Sequence, residues 1–264
     1  MKSIINGLSV NTFGDPEKPS IIFIHGFPYD HTMWENQIEA LKNSYYCVAY
    51  DVRGLGESYV GDGQYVMEFF VYDLFSIIKE LKLIKPIICG LSMGGYIALR
   101  AFEKDQNIFG GLILCDTRSN PDDNAAKLKR AENINLINTE GLIKFCDMFV
   151  KNTFAEETPR EDGTTFLTVL HKTYNQNPVG VKGCIIAIGS RTDTTPFLSQ
   201  IKLPVLIIVG SFDKLTPPPL MRAIAEKIPD SEFGIIPRAG HMTPVENPDA
   251  VNDLLIGFLE RRIK

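Results

Sequence analysis

A doubly wound α/β fold, with a mostly parallel sheet and an inserted helical cap, is the architecture this sequence predicts. Three observations carry it. Short runs rich in Ile and Val recur along the chain, most are separated by segments with helical spacing, and one stretch, residues 117–196, breaks that alternation. Buried parallel strands read as continuous apolar runs because both of their faces are covered, and strand-helix alternation is the pattern of a parallel sheet with crossover helices.

The elements follow in order. SIINGLSVNTFGD carries an Asn-Gly turn signal between two β-compatible pieces, which predicts an antiparallel hairpin at the sheet edge. The buried-strand runs are SIIFIH (20–25), YCVAY (46–50), PIICGL (86–91), GLILCD (111–116), PVLIIVG (204–210) and FGIIP (233–237). Helical spacing is found in TMWENQIEALKN (32–43), QYVMEFFVYDLFSIIKELKL (64–83), GGYIALRAFEK (94–104) and PPLMRAIAEKI (218–228). NPDAVNDLLIGFLERRIK, with an early Pro and Asp and a basic end, suits a closing helix. Residues 117–196 offer helical segments instead: AAKLKRAENINLI, GLIKFCDMFVKNTF and TTFLTVLHKTYNQ. The expected division is therefore a core built from residues 1–116 and 197–264, with 117–196 inserted as a helical lid.

Composition narrows the function. With 44% hydrophobic and 22% charged residues in 264, the chain can bury enough apolar surface to offset its conformational entropy, which argues against wholesale disorder. A formal net charge of -5 lacks the positive field that phosphate-backbone binding needs, so nucleic acid is not an expected partner. No run of about 18 apolar residues suggests a membrane span, and the N-terminal residues meet polar groups and Gly before a signal-peptide core can form. A soluble cytoplasmic protein is expected; oligomeric state is not legible. Five cysteines form no CxxC pair and none lies at metal-ligand spacing from a His, so neither a disulfide framework nor a zinc site is expected. Cys47, Cys89 and Cys115 fall in strand-like runs, where a thiol acts as a small hydrophobe.

The chemistry concentrates at Gly90-Leu91-Ser92-Met93-Gly94, a G-x-S-x-G pattern between a strand run and a helix run. A strained turn there would project the Ser92 hydroxyl, and the glycines remove Cβ atoms that would collide with strand and helix. A serine is a poor nucleophile near neutral pH and needs a base plus a group that orients the base. His241, in AGHMTPVENP after the last strand run, is the candidate base, and Asp213, in VGSFDKLTPP after the preceding strand, is the candidate acid. Asp116 also ends a strand run and is the chief rival, with a structural or lid-anchoring role as its other reading. The backbone N–H groups of Phe27 and Met93 are the candidate donors to a tetrahedral oxyanion; Pro28 lacks an N–H. His25, beside Gly26 at a strand exit, reads as structural.

Together, HGFP, DVRGLGES, GLSMGGY, GSFDKLTPP and AGHMTPVENP resemble the α/β-hydrolase superfamily over nearly the whole chain. Within it the chain most resembles small esterases and lactonases of the 3-oxoadipate enol-lactonase type, with CDTRSNPDD and SRTDTTPFL at the two ends of the insertion pointing the same way. The resemblance implies a helical cap over a pocket, a reaction without a cofactor or metal, and a small-molecule ester or lactone as the partner. It also marks Asp51, Arg53, Gly54, Gly56 and Ser58 as a structural turn near the pocket. Haloalkane dehalogenases and soluble epoxide hydrolases share similar segments but carry aspartate at the nucleophile position, so Ser92 favours acyl transfer. HGFP is also similar to the cofactor-free haloperoxidases, or perhydrolases. C–C bond hydrolysis and a receptor role with little turnover are further alternatives on the same scaffold. In the insertion, Phe145, Phe149, Phe154 and Phe166 suit packing more than substrate contact, and Arg118 can pair either with a substrate carboxylate or with Asp122 or Asp123.

Overall fold

The computed structural model describes residues 1–263, the side chains of residues 159 and 160 excepted. The chain opens with β1 (Lys2–Ile5) and β2 (Leu8–Phe13), paired antiparallel around Asn6-Gly7, where both residues have positive φ (50° and 82°). It continues through β3 (Ser20–Ile24), a 3-10 turn (His31–Trp34), α1 (Glu35–Leu41), β4 (Tyr46–Tyr50), α2 (Met67–Glu80), β5 (Ile87–Leu91), α3 (Met93–Asp105) and β6 (Gly111–Cys115). Five helices follow before the sheet resumes: α4 (Asn124–Glu140), α5 (Leu142–Lys151), α6 (Thr158–Glu161), α7 (Gly163–Tyr174) and α8 (Pro178–Gly189). The last part holds β7 (Val205–Gly210), α9 (Pro218–Ala225), β8 (Ser231–Ile236), α10 (Thr243–Glu246) and α11 (Pro248–Arg262).

These strands form one eight-stranded sheet in the order β1-β2-β4-β3-β5-β6-β7-β8. β2 runs antiparallel to both neighbours, and every pairing from β4 to β8 is parallel. Every residue of β3, β5, β6 and β7 is buried, as expected for strands covered on both faces. Outside the sheet, α2 packs on α3 and α1 on α11. Parallel strands joined by right-handed crossovers bring their carboxyl ends to one edge, where the loops after β3, β5, β6, β7 and β8 meet.

Each strand run read in the sequence is a strand here, with ends shifted by no more than two residues. The helix α8 is an addition. Its sequence, PVGVKGCIIAIG, is apolar on nearly every face, so it carries no helical periodicity, and seven of its residues are buried. It lies against the 51–58 turn so closely that a Cβ on Gly180 would overlap the Gly54 carbonyl oxygen, and one on Gly183 would strike the Tyr65 ring at 2.5 Å.

Candidate active site

Ser92 sits between β5 and α3 with φ 52° and ψ -111°, a conformation costly for a residue with a side chain. Neighbouring contacts hold it there. Its N–H donates to the Cys115 carbonyl (3.0 Å), and its own carbonyl accepts from Thr117 Oγ1 (2.7 Å) and from the Gly95 N–H (2.9 Å). The turn closes only because two residues lack side chains: a Cβ on Gly94 would overlap the Ile24 carbonyl, and one on Gly90 the Gly94 carbonyl.

Across the strand ends, Asp213 Oδ2 lies 2.8 Å from His241 Nδ1. The Asp213 carboxylate is saturated with donors. Oδ1 accepts the N–H groups of Leu215 (2.8 Å) and Thr216 (3.0 Å), and Oδ2 also accepts Thr216 Oγ1 (2.5 Å). Burial alone would raise its pKa, but the His241 charge and the bonds from His241 and Thr216 outweigh burial and hold it well below the usual carboxylate range. Asp213 thus accepts the Nδ1 proton and leaves Nε2 as the imidazole's other functional nitrogen. His241 itself is fixed by its N–H, which donates to the Thr153 carbonyl at 2.8 Å.

Ser92 and His241 line one cavity of about 310 Å³, together with Phe27, Tyr96, Leu215 and, from the stretch between β6 and β7, Arg118, Phe145, Phe149 and Ile188. Phe27 meets Phe149 edge-on (5.3 Å between centroids) and Phe145 at 6.0 Å, so these insertion aromatics form wall as well as packing. Phe154 and Phe166 instead pair with each other at 5.2 Å, in keeping with the packing expectation. The Phe27 and Met93 backbones are both buried, and among the described residues neither N–H meets a protein acceptor. Two such donors are uncommon in a folded interior and are available to a ligand oxygen.

The other predicted positions resolve as follows. His25 is fully buried, with Nδ1–H donating to the Gly26 carbonyl (2.9 Å) and Nε2 accepting the Val52 N–H (2.9 Å); both nitrogens are committed to backbone. Asp51 accepts the His31 backbone N–H (2.9 Å) and Nδ1–H (2.7 Å) and the Glu57 N–H (3.0 Å), while Arg53 forms a two-pronged pair with Asp73 at 2.6 Å. Asp122 is held by Arg191 (2.7 Å) and Arg130 (3.0 Å), and Asp123 caps α4 through the Ala126 N–H. Arg118 therefore pairs with neither. Its guanidinium donates to the Leu215 carbonyl and, among the described residues, forms no ion pair.

Two sets of groups lie close enough to share a cation: Asp30, His31 and Asp51, and Asp116, Asp213 and His241. In both, the carboxylate oxygens already accept protein N–H and O–H donors, which accounts for the clustering without a metal.

Glu246 is a participant the sequence reading did not single out. Its Oε1 accepts the N–H groups of Gly240 (2.8 Å) and Met242 (3.2 Å), on either side of His241, and its Oε2 accepts the Ala155 N–H (2.8 Å) and Thr158 Oγ1 (2.6 Å) from the insertion. Burial raises its pKa, and these four donors offset part of that rise. The available signal was a carboxylate five residues after the histidine and just before Asn-Pro.

The sequence profile of the α/β-hydrolase fold matches residues 19–248. The chain belongs to the α/β-hydrolase fold family. As an α/β hydrolase it is similar to a 3-oxoadipate enol-lactonase of Acinetobacter baylyi, 26% identical over 96% of this chain and 93% of that protein. Among solved structures, a thermophilic esterase from Thermogutta terrifontis, determined with malate bound, superposes with TM-score 0.94 at 32% identity, covering 99% of this chain and 98% of that one. A bromoperoxidase from Bacillus anthracis shares the fold, with TM-score 0.88 at 23% identity over 98% of this α/β hydrolase and all of that chain. No described helix is long and apolar enough to cross a membrane.

Proposed function

We propose that this α/β hydrolase cleaves a small to medium carboxylic ester or lactone through an acyl-enzyme on Ser92. The observation that carries the reading is a serine with positive φ in the same cavity wall as a histidine whose Nδ1 is held by a buried, ionised aspartate. His241 Nε2 takes the hydroxyl proton as Ser92 Oγ attacks the carbonyl, and Asp213 stabilises the imidazolium that forms. The Phe27 and Met93 N–H groups receive the oxyanion. His241 then protonates the leaving alkoxide, activates a water, and the acyl group departs as the acid. In this reading residues 117–196 are the cap, contributing the wall opposite Ser92, and residues 1–116 and 197–264 are the core. Five buried thiols free of disulfides suit a reducing, cytoplasmic compartment.

Arg118 favours a second reading within the same chemistry, in which the preferred substrate is a carboxylate-bearing lactone. A cation with no acidic partner among the described residues, on a cavity wall that also carries Lys129, Arg130 and the Arg130-paired Asp122, suits a substrate with one anionic end. The test of the main reading is Ser92→Ala, assayed on short p-nitrophenyl esters, lactones, and peroxide with carboxylic acid. Ester and lactone turnover should fall by about 10⁴-fold or more. Undiminished hydrolysis would sink the serine assignment, and peroxide-dependent turnover exceeding hydrolysis would move the protein to the perhydrolase class.

A further inference from the structure

We propose that Asp116 is a second acid for His241, seated behind Asp213 and able to orient the imidazole when Asp213 is removed; this rests on the serine-histidine reading above. Three strand ends converge here. Asp116 follows β6, Asp213 follows β7 and His241 follows β8, and one oxygen from each carboxyl and one ring nitrogen all lie within 4.8 Å of one another. Asp116 is fully buried and aimed at this junction: Oδ1 accepts the Gly210 N–H (2.8 Å) at the end of β7, and Oδ2 accepts the hydroxyl of Thr243, two residues past His241.

Two carboxylates in one buried space do not both ionise readily, and the better-solvated one keeps the charge. Asp213 has four donors, including His241, whereas Asp116 has two. The charge therefore resides on Asp213. Burial first, and the Asp213 charge second, push the Asp116 carboxyl well above its ordinary range, with the Cys115 thiol the other titratable neighbour, so Asp116 keeps its proton.

Removing Asp213 reverses this balance. The repulsion disappears while burial, the larger cause, remains; His241 Nδ1–H keeps only the Thr216 hydroxyl at 3.3 Å, and Asp116 becomes the carboxyl beside the ring, able to ionise as the imidazolium forms. An oxygen within 4.8 Å of the ring nitrogen needs to move by no more than about 2 Å to accept a hydrogen bond.

The experiment compares Asp116→Asn in the wild-type and Asp213→Ala backgrounds, by kcat/KM on a p-nitrophenyl ester and by the downfield NMR signal of the hydrogen-bonded imidazole N–H. Asp213→Ala should lose about 10²-fold, short of the ~10⁴-fold that follows loss of a triad's sole orienting acid. It should also retain a downfield signal. Adding Asp116→Asn should erase that signal, with a factor in kcat/KM at least tenfold greater than the same change causes in the wild type. Equal factors in both backgrounds, or no downfield signal in folded Asp213→Ala, overturn the proposal. Should Asp213→Ala lose its circular-dichroism signature, Asp213→Asn, of nearly equal volume, replaces it with the same two readouts. The N–H signal requires no turnover, so it decides the Asp116 contact even where active Ser92→Ala has removed the serine reading.

Discussion

Arg118 is a half-buried cation with one of its five N–H donors satisfied, by the Leu215 carbonyl, and the acids nearest in sequence are engaged elsewhere. Hydrogen bonds to a charged partner contribute roughly 1.5–3 kcal/mol, equivalent to about tenfold or more in affinity. Arg118→Gln should therefore raise KM for a carboxylate-bearing lactone about tenfold while changing KM for its neutral methyl ester less than about threefold. Steady-state kinetics on the matched pair checks this, and an equal shift for both removes the carboxylate role. The residue itself was conspicuous in the sequence, but whether Asp122 or Asp123 would neutralise it was open. Only the fold decides, because Asp122 is reached by Arg191 from the far end of the insertion, 69 residues along the chain.

Among the elements, α10 has a role larger than its four residues suggest. Glu246 ends it and ties the backbone on both sides of His241 to Ala155 and to Thr158 at the start of α6. Glu246→Gln keeps the shape but replaces one acceptor oxygen with an amide donor, which would face N–H or O–H groups on one side of the clamp. The expected result is a fall in kcat of about tenfold with KM nearly unchanged, since an ångström of misplacement at a catalytic base is costly. A KM-dominated loss would assign Glu246 to the cavity wall instead. The strands were legible because apolar β-branched runs bounded by turn residues have few alternatives. By contrast, α8 was illegible as an element: with apolar groups all round, its sequence lacks the periodic contrast that marks a helix, and its burial comes from packing on the 51–58 turn.

At the scale of the whole molecule, the buried carboxyl of Asp116 couples folding to pH. Its folded-state pKa is raised from an ordinary value of 3.8, so in the window above that value the native state holds a proton the unfolded chain has released. Stability from this group therefore falls as pH rises, until the folded group also ionises. Asp116→Asn has no proton to lose. Its unfolding free energy, relative to wild type, should increase between pH 5 and pH 7, by at most about 1.4 kcal/mol per pH unit. Urea melts at the two pH values measure the difference; parallel behaviour would show that Asp116 is ionised in the native state. The opposite sign holds for Asp213, whose depressed pKa favours the folded state above its unfolded value and is lost only as pH falls through the folded one.

The sequence by itself determined where the candidate residues fall along the chain: Ser92 after β5, Asp213 after β7 and His241 after β8. The α/β class was legible in it as well. These are local properties, written in apolar runs, turn residues and short motifs that need no distant partner to be read. Tertiary structure alone decided which acid meets His241 at 2.8 Å, which stands behind it, and which aromatics of the insertion reach the cavity. Asp116 and Asp213 both follow strands, and the sequence favours Asp213 with Asp116 as its chief rival. They differ in the donors that surround them, and those donors come from loops brought together only when the parallel sheet aligns its carboxyl ends.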